Sequence, residues 1–417
     1  MAAAALFGDS ALPAAEPDSA PGTYRQTKEL LTRHTRVVEL TNAAGACVAI
    51  CPEWQGRVMT STCGGPDGPS FGFVNRQYIE AGKRDLHFAN YGAEDRLWLS
   101  PEGGRFSFWF KPGVEQKIEN WFTAPAVNEG VYEVAPDHAA HGARSPTHCR
   151  MTQRMKLQNA SGTDFDLAVT RDVRLLGPAE LTPLFGKAVV ELMTGPGVKL
   201  VAYETVNTLV NQGPPLRKEK GLPSMWVLSM CNAGPKSVII VPYRGGDAKE
   251  LGPVVRSDYF GVIPSERLKI TPGAVLFSAD ANCRSKIGVA PARAKPLLGS
   301  IDFQAGVLTL AQCNLPEDPT KAVYMNNLWG VNQPDPYKGD CINAYNDGPS
   351  APGGKGMGEF YEIESLSPAV ALQTGASLVH CHRTIHVLAD PKTLAELARQ
   401  TLGVELEEVR RAMNVTR

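Results

Sequence analysis

The 417-residue sequence has no Cys-x-x-Cys pair, and no apolar run reaches the roughly 18 residues that a membrane-spanning helix needs. It also has no dense run of Lys and Arg, and its 42 basic side chains are balanced by 43 acidic ones. The missing cysteine pairs exclude zinc ribbons and thioredoxin-like redox proteins. The missing basic tract argues against nucleic acid as a partner, since phosphates need cationic neutralisation. The sequence therefore predicts a globular protein without a membrane span.

The nine cysteines are predicted to be buried thiols rather than a disulfide framework. Their number is odd, and most of them lie in apolar runs such as 46–51. A free cysteine in such a run behaves as a small apolar side chain. We therefore expect the fold to depend on its hydrophobic core and not on cross-links.

Residues 1–22 resemble the end of a secretory signal peptide. The segments 2–5 and 10–15 are rich in Ala, but the basic residues that open a complete signal are missing. We interpret 1–22 as a flexible tail or a signal remnant. This interpretation favours a periplasmic or extracellular protein and leaves a cytoplasmic one open.

Short apolar segments separated by Gly, Pro and Asn make up most of the chain after a short helix over 23–35. The predicted strands are 37–40, 46–51, 57–62, 106–110, 165–170, 189–193, 200–205, 225–230, 237–241, 275–279, 307–313, 322–326, 360–364 and 377–387. No helical pattern of 10–15 residues alternates with them, so a parallel sheet with crossover helices is not expected. The pattern predicts an all-β fold, a large antiparallel β-sandwich spanning 23–388.

The end of the chain changes to helical spacing. Asp390 followed by Pro391 is a typical helix start, with a capping side chain and Pro at the first helical position. Gly403 interrupts the apolar pattern that follows. Residues 389–417 are therefore predicted to form a tail of two short helices that pack on the sandwich.

The densest polar stretch, residues 90–104, mixes charged side chains with aromatic residues and glycines. Its candidate binding residues are Glu94, Asp95, Arg96, Trp98 and Glu102. Guanidinium and carboxylate groups bind hydroxyls, aromatic faces pack on the C–H face of a sugar ring, and glycines let the backbone approach closely. The stretch is interpreted as sugar-binding, and a surface turn with ion pairs is the alternative.

Two glutamates in the predicted strand 360–364 are candidates for acid–base chemistry. Glu362 and Glu364 lie two residues apart, so they point to the same face of a strand, roughly 6.5–7 Å apart at the backbone. If both face a cavity, their repulsion raises one pKa toward neutrality. The alternative is the solvent-facing side of an edge strand.

Histidines alternate along the last predicted strand. His380 and His382 share one strand face with Thr384 and His386. Imidazole can transfer protons near neutral pH, and a His-x-His pair can also ligate a divalent metal with a third ligand from elsewhere. Structural, proton-transferring and metal-binding roles therefore stay open.

A further group of amides and aromatic side chains is predicted to bind sugar hydroxyls. Asn327 and Trp329 precede a stretch, 339–348, that reads as a loop and carries Asn343, Tyr345 and Asn346. The Asn-Asp-Gly sequence at its end is a turn signal. We expect these side chains to lie beside the candidate carboxylates.

The C-terminal order of motifs resembles the end of the galactose mutarotase-like superfamily, which includes the aldose 1-epimerases. Glu364 is followed by Pro368, then by a Thr-Gly pair at 374–375 and by a last strand ending in His386. Residues 92–104, with Gly-x-Glu-Asp-Arg-x-Trp and Pro-Glu-Gly-Gly, are similar to an uncharacterised bacterial branch. The resemblance implies a mutarotase-type sandwich that acts on a mono- or oligosaccharide, with Glu364 as the catalytic base and no cofactor.

One departure from that superfamily concerns the general acid. Aldose 1-epimerases carry an Asn-His pair in mid-chain, whereas the corresponding segment here, 207–211, contains no His. Glu362, His380 or His382 would then supply the proton, and a divalent metal at the two histidines is a further alternative. Glycoside hydrolysis, polysaccharide lysis and non-catalytic sugar binding remain alternatives because the same fold hosts several activities.

Overall fold

The computed structural model of the chain describes residues 22–85, 87–136, 147–350 and 354–416. Apart from Gly22, the tail predicted over residues 1–22 lies outside the described residues. The described chain is dominated by strands, which confirms the predicted all-β class.

The strands form three antiparallel sheets. The smallest has the order β1 (Val38–Thr41), β2 (Cys47–Cys51), β3 (Arg57–Thr62). The ten-stranded sheet has the order β11 (Leu268–Thr271), β12 (Ala274–Ser278), β10 (Ser237–Pro242), β14 (Leu297–Asp302), β15 (Val307–Cys313), β18 (Ser377–Leu388), β8 (Lys199–Asn211), β7 (Asp164–Leu175), β6 (His148–Gln158), β5 (Glu133–Val134). The five-stranded sheet has the order β13 (Ser285–Val289), β16 (Ile342–Asn346), β17 (Phe360–Leu366), β9 (Ser224–Asn232), β4 (Arg96–Ser100).

The helices are short and lie mostly outside the sheets. They are α1 (Tyr24–His34), α2 (Arg76–Ala81), α3 (Pro125–Asn128), α4 (Pro178–Phe185), α5 (Lys187–Met193), α6 (Ala248–Leu251), α7 (Pro391–Leu402) and α8 (Leu406–Ala412). The side chain of Asp390 accepts hydrogen bonds from the first backbone N–H groups of α7. Gly403 ends that helix with a φ of +70°, which glycine adopts without strain. The predicted N-terminal helix and C-terminal helices are therefore confirmed.

The inner faces of the large sheets share one hydrophobic core, and a second core lies under the helices. In the first, residues such as Ile363 of β17 and Tyr203 of β8 are buried together. In the second, Leu397 of α7 packs with Ile385 and Val387 of β18. All seven residues of β17 are buried, so both faces of this central strand are covered.

Four local predictions are wrong. Residues 189–193 lie in α5, because a short apolar run has no period that separates helix from strand. Residues 106–110 form turns rather than a strand, and 322–326 contain only an isolated bridge at Tyr324. The stretch 339–348, interpreted as a loop, contains β16.

All nine cysteines are free thiols, and eight of them are buried, as predicted. In the part of the chain that the structure describes, we find no helix with the length and apolar character needed to cross a membrane.

A buried ion pair links the two large sheets. Arg171 of β7 donates from Nη2 to Asp95, which directly precedes β4, and Thr205 of β8 donates to the second oxygen of Asp95 at 2.8 Å. None of these side chains is exposed to solvent. Removing one partner would leave the other charge buried without compensation.

We therefore predict that Arg171→Met lowers the free energy of unfolding by about 3–5 kcal/mol, because it leaves the Asp95 carboxylate unpaired. Urea denaturation measures this loss. Arg154→Met is the matched control, since Arg154 of β6 pairs with Asp166 of β7 at the surface and its loss costs little. Equal losses in the two variants would contradict the prediction.

Candidate active site on the five-stranded sheet

One face of the five-stranded sheet carries charged and aromatic side chains although it is buried. Residues directly opposite each other in antiparallel strands project to the same side, so Glu362 and Glu364 share this face with residues of the other four strands. These are Lys286 and Gly288 of β13, Asn343 and Tyr345 of β16, Trp226 and Leu228 of β9, and Arg96 and Trp98 of β4. Glu362 is 6% exposed and Glu364 is 0% exposed. The pair is therefore not the solvent-facing side of an edge strand.

Glu364 is surrounded by hydrogen-bond donors. The ammonium group of Lys286 lies 3.0 and 2.9 Å from its two oxygens, and the indole N–H of Trp226 donates to Oε2 at 2.8 Å. The same ammonium group also lies 4.7 Å from the centre of the Trp226 ring. The negative charge of Glu364 is thus matched by a cation at close range, and its geometry is fixed from two strands.

Glu362 has fewer contacts. Arg96 donates from Nη2 to Oε1 at 2.9 Å, and the structure shows no hydrogen-bond partner for Oε2 among the described residues. Burial raises the pKa of Glu362 to about 7, an effect that Arg96 opposes and the charge of Glu364 reinforces. The pKa of Glu362 therefore lies near neutrality, where this carboxyl group can change its protonation.

Arg96 is held between aromatic rings. Its guanidinium carbon lies 4.1 Å from the Trp98 ring centre and 4.9 Å from that of Phe88. Burial lowers its pKa, and the neighbouring carboxylates oppose this shift. Its Nε and Nη1 atoms are buried without a hydrogen-bond partner among the described residues, so Arg96 keeps donors beyond the one that binds Glu362.

Five of the six tryptophans in the sequence contact Glu364, Arg96, Glu102 or one another. They are Trp98, Trp109, Trp121, Trp226 and Trp329, the first four with ring centres 5.1–6.5 Å from a neighbour. The indole N–H groups of Trp121 and Trp329 donate to Oε1 of Glu102 at 3.0 and 3.3 Å. Burial raises the pKa of Glu102, and both indoles oppose this shift.

The Pro-Glu-Gly-Gly motif positions the Trp329 loop. A Cβ on Gly103 would lie 2.4 Å from the carbonyl oxygen of Leu328 and 2.7 Å from Cα of Trp329, so only glycine permits this approach. Asn327 accepts a hydrogen bond from the backbone N–H of Glu102 at 2.8 Å. The predicted residues Asn327, Trp329 and Glu102 are therefore brought together. The side-chain oxygen of Asn327 is already engaged in holding the loop.

The predicted residues of β16 divide between its two faces. Asn343 and Tyr345 lie on the charged face, where the Tyr345 hydroxyl donates to Asp347 at 2.6 Å. Asn346 lies on the opposite face, and its amide donates to the carbonyl oxygen of Cys283 at 2.9 Å.

The predicted histidines lie on the other side of β17, inside the sandwich. Ser365, whose side chain points away from the glutamates, is hydrogen-bonded to Nε2 of His380 at 2.8 Å and to Nδ1 of His382 at 2.9 Å. His382 also contacts Ser229 at 3.2 Å. Burial lowers the pKa of His380 to about 3 and that of His382 to about 4, so both imidazoles are neutral near pH 7. The structure does not bring them together with the carboxyl pair.

Glu94 and Asp95 also belong to the interior. Glu94 accepts hydrogen bonds of 2.6 Å from the backbone N–H and the hydroxyl of Ser61, and it lies 3.0 Å from Nε2 of His386. Across the described ranges, no group of three or more His, Cys, Asp and Glu side chains is arranged to hold a metal ion.

Lys286 and Trp226 are two functional candidates that sequence reasoning missed. Lys286 lies in β13 beside Ile287, and Trp226 lies in β9 between Met225 and Val227, in buried strands that are typical of a core. The lysine could have been noticed in the sequence, because a buried ammonium group requires a partner of opposite charge. That partner, Glu364, is 78 residues away in the chain.

A groove of about 580 Å³ lies between α1 and β1, and its lining includes none of Glu102, Glu362 and Glu364. Several of its charged side chains already have partners, as in the ion pairs Lys28–Glu39 and Arg25–Asp67. The charged sheet face is the better site candidate, because it retains buried polar atoms without partners.

Similar solved structures are distant in sequence. A candidate aldose 1-epimerase from Escherichia coli K12 is 11% identical, with a TM-score of 0.49, over 85% of this chain and 99% of that chain. The Slr1438 protein from Synechocystis sp. PCC 6803 is 10% identical, with a TM-score of 0.46, over 85% and 96%. A galactose mutarotase-like protein from Lactobacillus casei ATCC 334 is 9% identical, with a TM-score of 0.43, over 84% and 100%. At this identity the similarity concerns the course of the chain and not its activity.

The sequence matches one family over most of its length. No curated protein sequence matches it significantly. The profile of a family of unknown function, DUF6786, matches residues 22–413, which include the sandwich and both C-terminal helices. The chain therefore belongs to the family of unknown function DUF6786.

Proposed function

We propose that this protein performs general acid–base chemistry on a sugar at the charged face of the five-stranded sheet. The observation that carries the proposal is the pair of buried carboxyl groups on one strand, Glu362 and Glu364, each held by a different cation. The pKa of Glu362 is raised to about 7, which suits proton transfer at neutral pH. Aromatic and amide groups beside the pair have the chemistry that binds a sugar ring.

The contacts support a division of roles between the two carboxyl groups. The resemblance to epimerases implied Glu364 as the base, but its oxygens already accept three hydrogen bonds from Lys286 and Trp226. Glu362 has an oxygen without a partner among the described residues. We assign proton transfer to Glu362 and a positioning role to Glu364, which holds Lys286 and Trp226 beside the site.

Substrate binding is assigned to groups around the pair. The indole rings of Trp121 and Trp329 are partly exposed and can pack on the C–H face of a sugar, while Arg96 offers two unpaired donors. His380 and His382 have no part in this proposal, because they are hydrogen-bonded to Ser365 on the face of β17 opposite to Glu362 and Glu364. Their bonds to serines support a structural role.

The first prediction concerns the carboxyl groups. Glu362→Gln is expected to lower turnover by about 10²–10⁴-fold, because it removes the titrating group. Glu364→Gln is expected to lower it less, because Glu362 keeps its titrating carboxyl group, although the amide replaces one acceptor oxygen of the Lys286 and Trp226 hydrogen bonds by an N–H donor. A panel of mono- and oligosaccharides is followed by NMR for anomer exchange, by reducing-end assay for hydrolysis and by absorbance for unsaturated products.

The control for this series is Glu359→Gln, which changes an exposed carboxyl directly before β17 and should leave turnover unchanged. The assignment is overturned if Glu362→Gln keeps wild-type turnover on every sugar that reacts. The product detected separates epimerase, hydrolase and lyase activity, and binding without any product indicates a sugar-binding protein.

The second prediction concerns stability against pH. The folded protein holds the Glu362 proton more tightly than the unfolded chain, because burial raises the pKa from 4.5 to about 7. Stability should therefore fall as pH rises through this window, with a contribution of at most about 1.4 kcal/mol per pH unit from this group. Urea denaturation of wild type and Glu362→Gln between pH 4 and pH 8 measures the difference. A difference that does not change with pH would contradict the prediction.

A further inference from the structure

A second polar cluster lies beside Glu364 on the same sheet face. Asn343 belongs to β16 and Asp340 precedes that strand by two residues. Arg256 and Tyr259 come from the segment between α6 and β11. The backbone of Arg256 exchanges two hydrogen bonds of 2.8 Å with Gly288 of β13, so the segment is fixed to the sheet edge.

Asp340 has one engaged oxygen and one open oxygen. The Tyr259 hydroxyl donates to Oδ2 at 2.5 Å, and Nη1 of Arg256 lies 3.5 Å from the same atom. No described residue hydrogen-bonds to Oδ1, although Asp340 is only 4% exposed. Arg256 remains 28% exposed at its side chain, so the cluster reaches solvent at this end.

Asn343 presents a second open acceptor. Its Nδ2 donates to the Tyr259 hydroxyl and to the carbonyl oxygen of Ile287, both at 3.3 Å. Its Oδ1 is buried without a hydrogen-bond partner among the described residues. Because Asn343 is directly opposite Glu364 in the β16–β17 register, this acceptor lies next to the carboxyl pair.

Gly288 makes room for the cluster. A Cβ at this position would lie 2.2 Å from Oδ2 of Asp340 and 2.8 Å from Nδ2 of Asn343. No side chain fits there without displacing one of the two groups. The arrangement therefore depends on a glycine in the middle of β13, where glycine otherwise weakens a strand.

We propose that Asp340, Asn343 and Arg256 form a subsite for neighbouring hydroxyl groups of a sugar, and that it selects neutral over acidic or phosphorylated rings. The two open acceptor oxygens bind O–H groups, and the guanidinium donates to a hydroxyl oxygen. A carboxylate or phosphate of the ligand would place anionic oxygens against those acceptors. The inference rests on the proposed function, since it names the substrate class of the same site.

Lys286 joins the subsite to the carboxyl pair. Its ammonium group binds Glu364 and lies 5.7 Å from the ring centre of Tyr259. A ring whose hydroxyls occupy the subsite therefore extends toward Glu364. Tyr259 acts here as a positioning residue, because its hydroxyl is bound to Asp340 and Asn343.

The experiment measures binding separately from turnover. Wild type, Arg256→Gln, Asp340→Asn and Tyr259→Phe are titrated with neutral mono- and oligosaccharides, including D-glucose and D-galactose, and with the 6-phosphates and uronates of these two sugars. Tryptophan fluorescence reports binding, because five indoles lie at the site. Since a hydrogen bond to a charged group contributes about 1.5–3 kcal/mol, Arg256→Gln should weaken neutral-sugar binding by about tenfold or more. Tyr259→Phe should weaken it less.

The matched control is Tyr243→Phe, which removes a hydroxyl that donates to the carbonyl oxygen of Thr271 away from the sheet face. It should bind sugars as wild type does. Thermal melting followed by circular dichroism checks that each variant is folded. Arg256→Gln and Tyr259→Phe change partly exposed residues, so they serve if Asp340→Asn does not fold.

The outcomes separate the two proposals. The subsite is refuted if wild type binds no neutral sugar, binds the acidic sugars as tightly, or binds unchanged in Arg256→Gln and Asp340→Asn. Binding that depends on Arg256 and Asp340, without turnover in any protein, supports the subsite and refutes the acid–base function. Turnover that depends on Glu362 but not on Arg256 or Asp340 supports that function and refutes the subsite.

Discussion

Two carboxyl groups on the same buried face of one strand repel each other, and the five-stranded sheet is arranged to hold both. Their strand, β17, is central, and the compensating cations come from the two edge strands. Lys286 reaches Glu364 from β13 and Arg96 reaches Glu362 from β4, each across an intervening strand. Long basic side chains can span that distance while their stems pack on apolar neighbours. The pairing is unequal, and the less engaged carboxyl group, Glu362, has its pKa raised to about 7 by burial.

The segment 94–96 connects this face with the sandwich interior. Glu94 and Asp95 turn inward to His386 and Arg171, whereas Arg96 begins β4 and points to the charged face. The three consecutive residues Glu94, Asp95 and Arg96 therefore link the sheets through Asp95 and supply the cation that binds Glu362 through Arg96.

Much of the fold could be predicted because its signals are local. The boundaries of β3 match the prediction, α7 begins after Asp390, and α8 follows Gly403. Caps, turns and two-residue alternation depend on a few neighbouring residues, and so does the shared face of Glu362 and Glu364. The helix α5 and the strand β16 were predicted wrongly, because a short apolar run and a polar strand both lack a distinctive period.

Two-residue alternation was enough to predict that His380 and His382 share one face of a strand and that Glu362 and Glu364 share one face of another. The packing of the sheets places these two groups on opposite sides of β17, with Ser365 on the histidine side. It also brings Lys286 to Glu364, and Arg256 and Tyr259 to Asp340. Alternation along a strand separates its two faces, but it carries no information about which distant segment covers each face. That choice depends on how whole sheets pack, and it determines which charges are paired and which remain open.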